Sequence, residues 1–260
     1  MKSSHRLLIS YGRGLLLAVW VMVGTAFAAD AAKVRVLLVT GGHDYDKAQF
    51  HQMFADLKNV EVRYVEHLNA AGAPDPVPEW FRPEAAAQYD VIVLYDMWQD
   101  MTDEGKANFV KLLQAGKGLV ATHHCLGSYQ KWDEYGRIVG GKYHLDKHAE
   151  NGVEKPASTY KHDVDFRVHV EDPNHPVTRG VSDFTIHDET YGGFSVNPDV
   201  TPLLTTTEPT SSKTIGWTHN YGKARVVYLE LGHDRMAYAN PSYVKLLSQS
   251  IQWVAQPAKP

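Results

Sequence analysis

One cysteine, Cys125, stands in a chain of 260 residues. A lone thiol has no intrachain partner, which excludes a scaffold stapled by disulfides. Long apolar runs are scarce too. The most prominent, Leu15 to Val23, falls short of the roughly 20 residues a membrane helix needs. There is no like-charge block, heptad pattern or internal repeat, so a coiled coil, a solenoid and a charged tail are excluded. With 20 Gly and 13 Pro, the chain lacks the enrichment of a low-complexity segment. Basic residues are outnumbered, 26 against 30 acidic. That balance argues against nucleic acid and anionic membranes as partners.

The first residues stand apart. Lys2, Arg6 and Arg13 precede the apolar run, and Ala26-Phe27-Ala28 follows it. A basic start, a short apolar stretch and small residues at the cleavage positions describe a secretory signal spanning residues 1–28. Its removal takes three basic residues and no acidic one, so the net charge moves from −4 to about −7. The expectation is a periplasmic or otherwise secreted protein with no membrane insertion after cleavage. The mature chain, 29–260, reads as one α/β domain with an insertion at about 128–199.

The mature chain alternates apolar runs with helical periodicity. Val34 to Thr40 is β-branched and closed by Gly41-Gly42, so it reads as a buried strand. Phe50, Met53, Phe54 and Leu57 recur at helical spacing. Val60 to Val65, Asp90 to Tyr95 and Gly118 to His124 read as further strands. A helix is expected between the last two, starting near Thr102. Alternation of this kind predicts a flavodoxin-like, doubly wound, mostly parallel sheet. The aromatic, His-rich insertion is expected over the carboxyl edge of its strands. Thr214 to Trp217, Ala224 to Leu229 and a last helix through Trp253 resume the core.

In such a sheet, ligands bind beyond the carboxyl ends of the strands. Four strand ends carry His or Asp: His43 after Gly42, Asp96 before Met97 and Trp98, His123-His124, and Gly232-His233-Asp234. Each piece alone has a plain structural reading, as a tight turn, a helix cap or a core histidine. Their coincidence on one edge points to a site. On an extended strand, His123 and His124 point to opposite faces, so one of them is expected in the pocket. Phe184 to Tyr191 adds His187, Asp188, Glu189 and Tyr191, the residue types of acid-base chemistry. His144 and His148 have the spacing of helical zinc ligands, but Gly140-Gly141 disfavours a helix there.

These stretches together resemble the trehalose-utilisation (ThuA-like) family. They are VLLVTGGHDY (Val36–Tyr45), YDVIVLYDM (Tyr89–Met97), GKGLVATHHCLGSY (Gly116–Tyr129), YGRIVGGKY (Tyr135–Tyr143), DPNHPVTRGVSDFTIHDETY (Asp172–Tyr191) and YGKARVVYLELGHD (Tyr221–Asp234). The resemblance implies a class I glutamine-amidotransferase-like fold, in which a nucleophilic cysteine sits where His123-His124-Cys125 stands here. The glycine pattern of a nucleophile elbow is missing. The resemblance therefore implies that histidines hold the functional place, and Cys125 reads as a small buried residue.

The resemblance also implies carbohydrate catabolism, with keto-glycosides as substrates. On that reading, Glu189 and His124 form an acid-base pair. His43 and His233 polarise a carbonyl or hold a divalent metal. Asp96, Trp98, His123, Tyr191 and Trp217 bind the sugar. Trp132, Tyr135 and Tyr143 are further aromatics for stacking. Two rivals stay open: a sugar-binding or accessory protein without turnover, and a metal-dependent hydrolase. The residues leave the sugar, the metal and the oligomeric state open.

Overall fold

The structure, a computed structural model, describes Met1 and residues 32–68, 74–150 and 152–257. Apart from Met1, the expected export signal lies outside the described residues. Among the described residues, no helix is long and apolar enough to cross a membrane.

The first part of the chain alternates strands and helices: β1 (Val34–Gly41), α1 (Lys47–Ala55), β2 (Val60–Glu66), α2 (Pro83–Ala86), β3 (Val91–Asp96), α3 (Asp103–Ala115) and β4 (Gly118–Thr122). Helix α3 shows why such elements start and stop where they do. The Thr102 side chain accepts the Gly105 N–H at 3.1 Å, which satisfies one of the first-turn donors. Gly116 ends the helix in the left-handed region at φ 107°, where a glycine carries no Cβ penalty.

The rest comprises α4 (Asp133–Val139), β5 (Gly141–Lys142), β6 (His148–Glu150), β7 (Val153–Lys155), β8 (Thr159–Val170), β9 (Phe184–Gly192), β10 (Ser195–Val196), β11 (Thr201–Thr205), β12 (Thr214–Tyr221), β13 (Ala224–Leu229), α5 (Arg235–Tyr238) and α6 (Pro241–Val254). Nine strands form one sheet in the order β2-β1-β3-β4-β13-β12-β11-β8-β9. The strands from β2 to β13 pair in parallel, and those from β13 to β9 pair antiparallel. The parallel half has the doubly wound order that reverses between β1 and β3.

Alternation along β1 explains why both faces are covered. Val36 and Leu38 join a core with Phe50, Phe54, Leu246 and Ile251, from α1 and α6. Leu37 and Val39 join a second core with Phe109, Leu113 and Ile138, from α3 and α4. Each such side chain, taken fully from water, contributes about 1.5–3 kcal/mol.

The segment from β8 to β11 does two things. It lengthens the sheet through β11, β8 and β9, and it brings β9 back to the turn after β13. There the Asp188 carboxylate accepts the backbone N–H groups of Gly232 at 2.8 Å and His233 at 2.9 Å. Glu230 accepts the Tyr191 N–H at 3.2 Å. These bonds hold the middle of β9 against the carboxyl ends of the parallel strands.

Candidate functional site

Strand β4 stops at Thr122. His123 and His124 lie on a short 3₁₀ turn, not on an extended strand. His123 has φ 52°, a left-handed conformation uncommon for a residue with a Cβ. One histidine does face the cavity, as expected, but a turn rather than strand alternation separates the two. His124 borders the cavity, whereas His123 is fully buried.

That cavity has a volume of about 280 Å³, near the lower end of small-molecule sites at roughly 300 Å³. His43, His124, Glu189 and Tyr191 border it, as do Tyr143, Tyr160, Leu145, His162, Met97 and Gly127. The strand ends of the core and the middle of β9 thus meet in one place.

Three acceptor-bearing groups converge beside it. His123 Nε2 lies 3.2 Å from Glu189 Oε2, and His233 Nδ1 lies 3.3 Å from the same oxygen. The two ring nitrogens are 3.3 Å apart. The Tyr191 hydroxyl sits 2.9 Å from His123 Nε2. On the outer side, His162 Nδ1 is 3.2 Å from Glu189 Oε1 and 3.1 Å from His233 Nε2. His123 Nδ1 faces the Glu230 carbonyl at 2.8 Å, so it carries the proton and donates it.

Electrostatics follow from these contacts. Burial alone would raise the Glu189 carboxyl, but hydrogen bonds from His123 and His233 outweigh it and hold the group well below the usual range. Burial would lower the His233 pKa, and the same carboxylate raises it instead. His124 is pushed well below its ordinary value by burial and by His123 and His43 beside it. Neither of its ring nitrogens has a hydrogen-bond partner. An unpartnered buried polar side chain is uncommon and here faces the cavity.

Of the expected sugar contacts, Tyr191 and Tyr143 border the cavity, and Trp217, Tyr135, Trp132, Asp96, Trp98 and His123 do not. Trp217 is fully buried, and its indole N–H donates to the Val139 carbonyl at 2.9 Å. It is a core residue because strand β12 is covered on both faces. Tyr135 is buried as well and donates to the Cys125 carbonyl. Asp96 is sealed at 0 % exposure. Trp98 stacks on His67 at 4.8 Å and borders a neighbouring cleft. His43 donates from Nδ1 to the Asp44 carbonyl, and its ring lies tilted against His124 with centroids 4.7 Å apart, away from the convergent triad. His144 and His148 stack face to face outside any helix, and His144 meets Ser195.

Asp96 belongs instead to a buried ionic knot. His67 Nδ1 donates to Asp75 at 2.7 Å, and its Nε2 lies 3.5 Å from Asp96. Burial opposes a charge on His67, but the hydrogen bonds to Asp75 and Asp96 raise its pKa to about 9. A histidine raised in this way contributes stability that is complete below about 6.5 and is lost as pH rises through about 9. The expected contribution is on the order of 3 kcal/mol. Urea unfolding at pH 6 and at pH 10 should show this loss in the wild type, and a much smaller one in His67→Gln. Equal losses in both proteins would contradict the assignment.

Cys125 is fully buried, and burial pushes its thiol well above the ordinary value. The left-handed turn after β4, where an amidotransferase-like fold would place its nucleophile, carries His123 instead. The histidine that sequence reasoning missed is His162. It sits beside a register shift between Lys161 and Val164, next to Asp163 at φ 56°. A bulge re-aims a side chain, and the only signal was a break in the alternation of β8.

The family model for trehalose utilisation, ThuA, matches residues 35–254. The chain belongs to the ThuA family. A solved ThuA-like protein from Parabacteroides merdae has a TM-score of 0.72 at 20% identity, covering 86% of this chain and 90% of its own. One from Bacteroides uniformis has a TM-score of 0.65 at 19% identity, covering 88% and 94%. A β-galactosidase from Rahnella sp. R3 matches with a TM-score of 0.52 at 10% identity, over 85% of this chain and 32% of its own. At these identities the likeness shows the fold alone. No curated protein matches this ThuA chain.

Proposed function

We propose that this ThuA-family protein is a carbohydrate-active enzyme that acts on a keto-glycoside in the cavity beside Glu189. The observation that carries the reading is the convergence of Glu189, His124 and Tyr191 on one small cavity at the strand ends. The family's name, trehalose utilisation, supports a sugar as substrate class. Tyr143, Tyr160 and Tyr191 border the cavity and offer aromatic surfaces to a sugar ring.

A ketone at C3 of a sugar acidifies the proton on C2. His124, with no protein partner on either ring nitrogen, takes that proton. Negative charge moves onto the ketone oxygen, which His43 at the cavity border and His233 beside Glu189 polarise. The C1–O bond then breaks, and the departing oxygen receives the proton. The products are an unsaturated keto sugar and a free alcohol. Glu189, ionised between its histidines, orients them and favours the cationic form of His233. The test is product analysis after incubation with a 3-keto-disaccharide and with its unoxidised parent. Conversion of the keto sugar is expected, and conversion of neither would overturn the reading.

Export through residues 1–28 is part of the proposal, supported by the basic start, the apolar run and Ala26-Phe27-Ala28. N-terminal sequencing of the protein from an extracytoplasmic fraction should begin near Ala29. Met1 retained on cytoplasmic protein would contradict it.

A further inference from the structure

We propose that His123 Nε2, Glu189 Oε2 and His233 Nδ1 are the three protein ligands of a divalent transition-metal site of zinc type. Its fourth position faces the cavity. The proposal rests on the reading of this cavity as the working site, but its test uses no sugar.

The first argument is geometric. The three atoms form a nearly equilateral triangle with sides of 3.2, 3.3 and 3.3 Å. A tetrahedral ion with bonds of about 2.0–2.1 Å spaces its ligand atoms about 3.3–3.4 Å apart. An ion over this triangle reaches all three atoms without moving the backbone.

The second argument concerns protons. His123 donates from Nδ1 to the Glu230 carbonyl. In the neutral ring this leaves the lone pair on Nε2, which faces a carboxylate oxygen 3.2 Å away. The ring nitrogen and the carboxylate oxygen meet at this distance through a positive centre, either a proton on the ring or a metal ion. A metal ion supplies it for all three sides of the triangle at once.

The third argument is the surrounding layer. Ligands at metal sites are held by outer partners that fix ring orientation. His123 has the Glu230 carbonyl. His233 and Glu189 both have His162. The backbone of His233 is tied to Asp188. Two histidines and a glutamate, with one open position, form the ligand set of catalytic zinc sites. Beside them His124, 5 % exposed, keeps both ring nitrogens unpartnered at the cavity wall. With Glu189 as a ligand, His124 is left as the group that carries the proton.

The experiment is metal binding by the purified chain. Protein is stripped with a chelator, loaded with Zn²⁺ or Co²⁺, desalted, and its metal counted by elemental analysis. About one ion per chain is expected, with the visible absorption of four-coordinate Co²⁺. Loss of one ligand in Glu189→Gln or His233→Ala should weaken affinity at least about 100-fold. His144→Ala, at the other histidine pair, should leave it unchanged. His233 is partly exposed, so its variant carries the test even where a change at buried His123 prevents folding. Wild-type protein that retains no stoichiometric ion, or affinity unaltered in both ligand variants, would overturn the proposal. Absent metal with intact keto-sugar conversion ends the metal site and leaves the proposed function. Bound metal without conversion supports the site and ends the function.

Discussion

Glu189→Gln and His124→Ala are each expected to cut conversion of the keto sugar by roughly 10²–10⁴-fold, the range for loss of a positioned acid-base group. Gln keeps the shape of the side chain and removes the charge that holds His123 and His233 in place. Ala at position 124 removes a ring that has no hydrogen bond to lose. The fold should therefore survive both changes. Melting temperature, measured in chelator so that metal binding does not contribute, should shift by no more than a few degrees, or ~1 kcal/mol. The double variant should be about as slow as the slower single one, because residues that act as a unit do not give multiplicative losses. Multiplicative losses would mean that the two groups serve separate steps. A loss of stability that tracks the loss of rate would mean that both roles are structural.

The second large effect is expected at Gly232. Its φ is 117°, and a Cβ there would sit 2.4 Å from the Tyr243 hydroxyl oxygen, on a ring that is itself fully buried. Neither the backbone nor the ring has room to adjust. The Gly232 N–H is also a donor to Asp188, and its carbonyl accepts from Tyr95 at 2.8 Å. Strain and overpacking together should cost roughly 2–4 kcal/mol in Gly232→Ala. For a chain of this size that is a fall in Tm of roughly 5–15 °C. His233, one residue on, should be displaced from Glu189, so activity should fall further than stability alone explains. A variant that melts within 2 °C of wild type would show that the turn adapts, and that its geometry does not set the site.

The alternating half of the fold was legible because its signals are local. β-branched runs, helical spacing and the Thr102 cap lie within a few residues of what they specify. The rule that ligands gather at carboxyl strand ends puts His43, Asp96, one of His123 and His124, and His233 on one edge from sequence alone. Glu189 was legible as chemistry but not as structure. It reads as the rim of a polar loop, and it stands on a nine-residue strand. What fixes it is Asp188 bonded to Gly232 and His233, a pairing 44 and 45 residues away that no local pattern records. Asp96 read as a site residue because it ends a strand of the parallel half, and Trp217 because an aromatic can stack on a sugar. Burial decided otherwise, through His67 for one and the two-sided cover of β12 for the other. His162 needed the bulge in β8, and His123 needed the left-handed turn, and both are backbone irregularities that alternation cannot foresee.

The central claim is that the Glu189 cavity turns over an oxidised sugar. It is tested most directly by chromatography of products from a 3-keto-disaccharide and its unoxidised parent, with wild type, Glu189→Gln and His124→Ala in parallel. The prediction is that wild type converts the keto sugar and spares the parent, and that both variants lose conversion while staying folded. Binding of either sugar without conversion by wild type, or conversion undiminished in both variants, would contradict it.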